Sequence, residues 1–375
     1  MRILFISKRQ YTNKDLLDDQ FGRYWHIPVE LSHLGHEVLF LCLSYEKKVE
    51  GWHHNQGNNS TPKWYSFNAG RIPFLGFIRF AIRSLLISRD FNPDLIVGGS
   101  DTLYGILGNW LARRQKIPFV YDLYDNYAAF AAYRLPVVAG LYGQALQRAN
   151  MVTCVSQPLV ELVRDEFHRT GPVMMVNNGV TDDFFDLTDK QNARKLFELP
   201  KHKKLVGIVG AISSSRGFDV IFEAFSRVHN IDNNIILVLA GPVSDVTIPE
   251  DVDIIYLGVL PHEKVPDLLH ALDLVIVPLI PSVFCDYCFP LKFLEAVASK
   301  TPVIAANVGV LNSILSNSPS CIYSHDDPGS LVEKMLLQLQ DPVIPEFPVA
   351  RWNQVAKLFE KILFNASARL ETKNQ

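Results

Sequence analysis

Residues 204–228, KLVGIVGAISSSRGFDVIFEAFSRV, decide the fold. Lys204 to Val209 is a short run of mostly aliphatic residues, the composition of a buried strand. It stops at Gly210, and the serine-rich turn Ser213 to Ser215 leads through Arg216 and Gly217 into Phe218 to Val228, where apolar residues recur at helical spacing. Strand, turn and helix in that order make the first part of a βαβ unit. Serines cap helices well, and the unpaired N–H groups at a helix start attract phosphate. Arg216 stands beside that start, where its planar fork suits a diphosphate. An ordinary strand–turn–helix with a solvated arginine has the same local sequence.

The rhythm continues in both directions. Arg2 to Ile6, Glu37 to Leu43, Leu95 to Gly98, Phe119 to Asp122 and Met151 to Val155 read as strands before it, and Ile235 to Ala240, Ile254 to Leu257, Leu274 to Pro278 and Pro302 to Ala305 after it. Short β-rich runs separated by helical stretches imply two parallel sheets in an α/β protein, with right-handed connections. A chain of 375 residues is long for one hydrophobic core and suits two domains. The polar stretch Asn178 to Lys204, with Pro200 and the run Lys201, His202, Lys203 and Lys204, is the expected junction. The expected division is 1–180, a linker 181–203, a second domain 204–345, and a closing segment 346–375. Within that last segment, Trp352, Val355, Leu358, Phe359 and Ile362 fit one amphipathic helix. Neither half has G-x-G-x-x-G after its first strand, which argues against a dinucleotide-dependent dehydrogenase. Two such domains still form a cleft beyond the carboxyl ends of their strands, an arrangement suited to a donor and an acceptor.

Composition narrows the class. With 48% hydrophobic and 20% charged residues the chain reads as globular rather than disordered. The net charge of −3 argues against a dedicated nucleic-acid binder, but it hides an asymmetry: residues 1–180 carry 19 Lys and Arg against 15 Asp and Glu, and the remainder 17 against 24. The two halves are expected to face different partners. Cys42, Cys154, Cys285, Cys288 and Cys321 are odd in number and scattered, which suits a reducing compartment. Cys285 and Cys288 form one CxxC, with neither a second pair nor histidines nearby to complete a zinc site. The first apolar run, Ile3 to Ile6, ends at Lys8 and Arg9 and is too short for a signal core or a membrane span, so a cytoplasmic location is expected.

A second chemical signal is Pro290, Leu291, Lys292, Phe293, Leu294, Glu295 and Ala296, read as a helix opening on proline. Lys292 and Glu295 are three apart and therefore neighbours on the first turn. A lysine there opposes the helix dipole, and an anion would relieve it. The set fits a nucleotide diphosphate, with Lys292 and the free amides on phosphate and Glu295 accepting from ribose hydroxyls. Glutamate in a first turn is also a plain helix stabiliser.

In order, these motifs resemble the retaining family-four glycosyltransferases of GT-B fold. The resemblance runs through Gly210 and Arg216-Gly217, Leu239-Ala240-Gly241-Pro242, Tyr256-Leu257-Gly258, Pro278, Pro290-Leu291-Lys292 to Glu295, and Thr301-Pro302-Val303-Ile304. More loosely it includes Leu34-Gly35-His36-Glu37-Val38, Thr153-Cys154-Val155-Ser156 and Asn178-Gly179-Val180. It implies two facing Rossmann-like domains, the first holding an acceptor and the second a nucleotide sugar, and a C-terminal helix crossing back to the first. It also implies transfer with retention and without a metal or other cofactor. Gly210, Ser215, Arg216, Gly258, Pro290, Leu291, Lys292 and Glu295 fall on the donor side, with Arg216, Lys292 and Glu295 also expected to serve the reaction. The Asp251-Val252-Asp253 triplet precedes a strand and is read as loop acids. Three positions depart from the pattern: Ala211 replaces a basic residue, Tyr287 replaces the first of two paired glutamates beside Asp286, and Tyr124 replaces a histidine. Those departures favour, as an alternative, a GT-B-like nucleotide-binding or scaffold subunit without catalysis. A sugar-nucleotide epimerase lacks the motifs it would need.

On the acceptor side, Phe119 to Asp122 leads into Tyr124 and Asp125. Asp125 is a candidate to take a proton from the acceptor hydroxyl or to hold the donor sugar, and an acid that only caps the following helix has the same local sequence. Lys8, Arg9 and the Gly22-Arg23 loop are a further candidate acceptor surface, although basic loop residues are more often merely solvated. Arg71, Arg79, Arg83 and Arg89 interleave with Phe74, Leu75, Phe77, Ile78, Phe80, Ile82, Leu85, Leu86 and Ile87 in one basic amphipathic stretch. Such a stretch either lies on an anionic membrane, where it would meet a lipid-linked acceptor, or packs on its own sheet with arginines outward.

Overall fold

The computed structural model describes residues 1–11, 14–53, 61–250 and 252–373, so Asp251 of the acidic triplet lies outside the described residues. The chain folds as two compact units. One comprises Met1–Gly179, Tyr287–Phe289 and Trp352–Gln375, the other Val180–Asp286 and Pro290–Arg351.

The first unit contains β1 (Arg2–Lys8), β2 (Gln10–Tyr11), β3 (Lys14–Asp15), β4 (Glu37–Ser44), β5 (Gly51–His53), β6 (Lys63–Asn68), β7 (Leu95–Gly99), β8 (Phe119–Leu123), β9 (Met151–Cys154) and β10 (Val173–Met175). β2 and β3 form a small antiparallel pair. The other eight make one sheet in the order β10-β9-β8-β7-β1-β4-β6-β5, parallel except for β5 on its edge. Ile3 to Ile6 and Leu95 to Gly99 lie fully inside, which is why these strands are continuous aliphatic runs. From β1 the chain moves to β4 on one side, then returns to β7 on the other. The strand order therefore reverses between β1 and β7. Right-handed crossovers place the helix Arg23–His33 on one face and the helices Pro73–Phe91, Thr102–Gln115 and Pro136–Arg148 on the other. The closing helix, Trp352–Lys373, belongs to this first unit: it packs on Arg23–His33, stacks Phe359 against Phe5 and sets Glu360 Oε1 2.7 Å from His36 Nε2.

The second unit is built on β11 (Lys204–Val209), β12 (Ile235–Ala240), β13 (Ile254–Tyr256), β14 (Leu274–Val277), β15 (Val303–Ala306) and β16 (Ile322–Tyr323), in the order β13-β12-β11-β14-β15-β16. All pairs are parallel. Here the order reverses between β11 and β14. Residues 181–203, expected as a linker, are instead part of this unit. Their helix Lys190–Leu196 carries Arg194, which is buried, donates to the carbonyls of Ala271, Lys201 and Lys203, and pairs with Asp273 at 2.6 Å. A polar composition resembled a linker because the buried arginine finds its carbonyl partners only in the folded unit.

Candidate active site

In an open parallel sheet the ligand crevice lies beyond the carboxyl strand ends where the order reverses, because neighbouring loops there diverge to opposite faces. In the second unit that place is between β11 and β14. Three glycines line the adjoining edge. Gly210 N–H donates to Ala240 O, and Gly241 N–H donates to Gly258 O, each at 2.8 Å. Gly241 has φ 147°, and a Cβ there would stand 1.9 Å from Gly210 O, so the turns after β11 and β12 meet backbone to backbone. The sequence puts Gly210 and Gly258 among the donor-side residues but not Gly241, whose packing against them is signalled only by a Gly-Pro pair directly after a strand.

The turn after β11 is fixed from the side. Ile212 N–H donates to Pro242 O at 2.9 Å and Ser244 N–H to Ile212 O at 3.1 Å. Ser214 donates from its N–H to Asp245 Oδ1 at 3.1 Å and from its hydroxyl to Asp245 Oδ2. The Ser214 hydroxyl and N–H hold the Asp245 carboxyl below its ordinary range. Ser213 and Ser215 share a hydrogen bond at 2.9 Å. Ser214–Arg216 is one turn of 3₁₀-helix, and Gly217, at φ 78°, redirects the chain into Phe218–Ile231. A Cβ on Gly217 would meet Ile280 Cγ2 at 3.1 Å, which brings the loops after β11 and β14 side by side. Arg216 is half-buried, and its guanidinium makes no hydrogen bond or ion pair with a described residue. Ala211 is exposed beside it.

Beyond β14 the chain reaches Pro290, which is the cap rather than the first residue of the helix Leu291–Ala298. Its φ of −67° and extended ψ are those of a cap, but a proline ring has no acceptor, so the first helical N–H groups have no side-chain cap. Lys292 Nζ lies 3.0 Å from Glu295 Oε2, as the three-residue spacing predicted, with Glu295 buried and Lys292 partly open. By topology both helices begin beyond the carboxyl ends of the neighbouring strands β11 and β14, one preceded by a guanidinium without a described partner, the other carrying an ammonium beside a buried carboxylate. Such a set can neutralise a diphosphate and accept hydrogen bonds from vicinal hydroxyls. Tyr287, in the place of the family's first glutamate, receives the Ser156 hydroxyl on its backbone carbonyl at 2.6 Å. Among the described residues no three His, Cys, Asp or Glu side chains group as a metal site, and all five cysteines are free and buried.

The first unit differs from expectation in two arginines. Arg9 is buried, with Nε between both oxygens of Asp15 at 2.9 Å and Nη1 on Ser66. Arg23 is likewise buried, and its fork grips Asp122 at 2.9 and 2.8 Å. Burial works against the Arg23 charge, but Asp122 outweighs it and holds the guanidinium pKa above its ordinary value. Neither is an acceptor surface: both are internal ion pairs, Arg23 tying the first helix to the end of β8. Lys8 remains partly open, 3.5 Å from Asp101. Ser100, at φ 72°, is pinned where the strand order reverses: its N–H donates to Tyr24 Oη and Tyr127 Oη, and its hydroxyl accepts from Lys8 N–H. Asp125 is buried and accepts from Asn126 N–H at 2.7 Å. Beside it, burial and then the Asp125 charge push the Tyr124 hydroxyl pKa well up, so it stays protonated.

The basic amphipathic stretch forms Pro73–Phe91. Phe80, Ser84, Ser88 and Phe91 face inward, while Phe74, Leu75, Ile78, Ile82 and Leu86 are exposed with all four arginines. No helix among the described residues is long and apolar enough to cross a membrane.

Comparison with known proteins agrees with this architecture. Residues 203–341 match the family described as Glycosyl transferases group 1, and residues 27–184 match Glycosyltransferase Family 4. Alpha-monoglucosyldiacylglycerol synthase of Streptococcus pneumoniae is 24% identical over 83% of this chain and 73% of its own. Among solved structures, sucrose-phosphate synthase of Thermosynechococcus elongatus superposes with a TM-score of 0.72 at 18% identity, covering 100% of this chain and 97% of that one. Anabaena HepE, solved in complex with UDP, superposes at 0.66 and 16% identity, with both chains covered completely. With both halves matched and both sheets in the doubly wound order, the chain belongs to glycosyltransferase family 4 and has the GT-B fold.

Proposed function

We propose that the protein moves a sugar from a UDP- or GDP-linked donor to a glycan or lipid-linked acceptor, with retention at the anomeric carbon and without a metal, in surface polysaccharide or glycoconjugate synthesis. The observation that carries this reading is that two helices begin beyond the carboxyl ends of the neighbouring strands β11 and β14, Arg216 before one without a described partner and Lys292 beside buried Glu295 on the other. As the bond from the anomeric carbon to the phosphate oxygen breaks, negative charge grows on the diphosphate. Arg216, Lys292 and the N–H groups stabilise it in place, the preorganised electrostatics that dominates many transfers. Glu295 takes the ribose hydroxyls, and Gly210, Ser215, Gly258, Pro290 and Leu291 shape the backbone around the nucleotide. The acceptor oxygen then bonds to the anomeric carbon from the leaving-group face. Asp125 is the candidate to receive its proton or to hold the sugar.

HepE was solved with UDP, which supports a nucleotide donor, and the S. pneumoniae relative is named for a diacylglycerol product, which supports a lipid-linked acceptor. A cytoplasmic protein touching the inner membrane face through Pro73–Phe91 follows from that acceptor and from the exposed arginines. The competing reading, a nucleotide-binding subunit without catalysis, draws on Tyr124: a hydroxyl that stays protonated stands where the family resemblance implies a histidine.

A thermal-shift screen of nucleotide sugars with and without EDTA tests the proposal, since a ligand that binds only the folded state raises Tm. The expected result is a shift with UDP- or GDP-sugars that survives EDTA. A shift abolished by EDTA contradicts the metal-free reading, and binding without donor hydrolysis or transfer selects the inactive subunit.

A further inference from the structure

We infer that Leu135, Val137 and Leu141, at the start of the helix Pro136–Arg148, form a second wedge into an anionic lipid bilayer. It acts beside the arginine-bearing helix Pro73–Phe91, and the inference rests on the membrane contact proposed for that helix. Leu135 is 61% exposed, Val137 74% and Leu141 41%, whereas further along the same helix Tyr142, Ala145 and Leu146 are buried. Val137 and Leu141 are four apart and share one face, and Leu135 precedes them. Soluble surfaces rarely cluster large aliphatic side chains in this way.

The topology aligns this cluster with the other helix. Pro73–Phe91 begins near the end of β4, where Ala69 N–H donates to Ser44 O, and ends near the start of β1, where Asp94 N–H donates to Arg2 O. Pro136–Arg148 ends near the start of β8, where Asn150 N–H donates to Phe119 O. Both helices therefore begin at the carboxyl edge of the sheet, and right-handed crossovers put them on the same face. The exposed Phe74 and Leu75 lie at the start of one, and Leu135 and Val137 at the start of the other. One broad partner can touch both.

Charge selects the partner. Arg71, Arg83, Arg89 and Arg134 are exposed and have no ion pair or side-chain hydrogen bond with a described residue. Unpaired guanidinium groups flanking aliphatic wedges match an anionic lipid surface, where phosphates meet the arginines and acyl chains take the wedge. Docking through both helix starts turns the carboxyl edge of the sheet, with Lys8 and Asp125, toward the bilayer. That orientation assigns a lipid-linked rather than a free acceptor.

The five native cysteines are buried, so Val137→Cys can be labelled selectively with an environment-sensitive dye. With vesicles of equimolar phosphatidylcholine and phosphatidylglycerol, the dye is expected to shift to the blue. The exposed double variant Leu135→Ser/Val137→Ser should bind about tenfold more weakly at every salt concentration, while Arg83→Gln/Arg89→Gln should flatten the salt dependence. Wild-type vesicle binding with an unshifted dye and an unaffected serine variant would overturn the second wedge and leave the Pro73–Phe91 contact standing. Failure of the wild-type protein to sediment with these vesicles at low salt would overturn both.

Discussion

Arg216 and Lys292 are both cations at helix starts, but they differ in what they hold without a ligand. Arg216 has no described partner, whereas Lys292 neutralises the buried Glu295. Replacing Lys292 therefore leaves a desolvated carboxylate alone as well as removing a phosphate contact. Arg216→Ala removes charge only, which makes it the cleaner probe. His270 shows the same logic of burial with a pH consequence. Both ring nitrogens are buried without a hydrogen-bond partner among the described residues, and burial lowers its pKa below the ordinary value. The unfolded chain then binds the proton more readily, so this group takes stability away as pH falls through about 6.5, the ordinary histidine value. Urea midpoints at pH 7.5 and 5.5 should differ, and His270→Leu should narrow the gap; an unchanged gap would remove His270 from the account. At this scale the sequence was most informative where chemistry is local. The Lys292–Glu295 pair follows from a spacing of three. Arg23 looks like a loop cation because its partner, Asp122, lies 99 residues away. Arg9 has its carboxylate only six residues on, at Asp15, but no periodicity in so short a stretch shows that the pair is buried.

Among the elements, β11 and β12 have the ends the sequence indicated, since both are aliphatic runs closed by glycine. The short strands β5, β10 and β16 escaped notice because two or three residues carry no periodicity, and β6 because its Lys63-Trp64-Tyr65-Ser66 start mixes polar and aromatic residues. What sequence patterns do not show is how turns pack on one another. Gly241 is the clearest case: Gly241→Ala would drive a methyl group into the Gly210 carbonyl, 1.9 Å away, at a φ that side chains avoid. It should cost about 2–4 kcal/mol in chemical denaturation and weaken nucleotide binding as the Gly210 turn shifts. An alanine variant of wild-type stability would mean that the two turns are not in register as described.

Over the whole molecule, the two-domain reading and the charge division gain a physical basis. The half with more Asp and Glu than Lys and Arg carries the proposed diphosphate site, because Arg216, Lys292 and two helix starts set the local field. The basic half carries the exposed arginines. The return of the last helix to the first unit was legible only through family resemblance, since an amphipathic helix does not say which surface it covers. The central claim is that the β11/β14 crevice binds a nucleoside diphosphate through those cations. Calorimetric titration of UDP and GDP into the wild-type protein, Arg216→Ala and Lys292→Ala tests it most directly. The account predicts binding of at least one nucleotide by the wild type and a loss of about tenfold or more in each variant, with the fold of Arg216→Ala intact by circular dichroism. Unchanged affinity in both variants would contradict it.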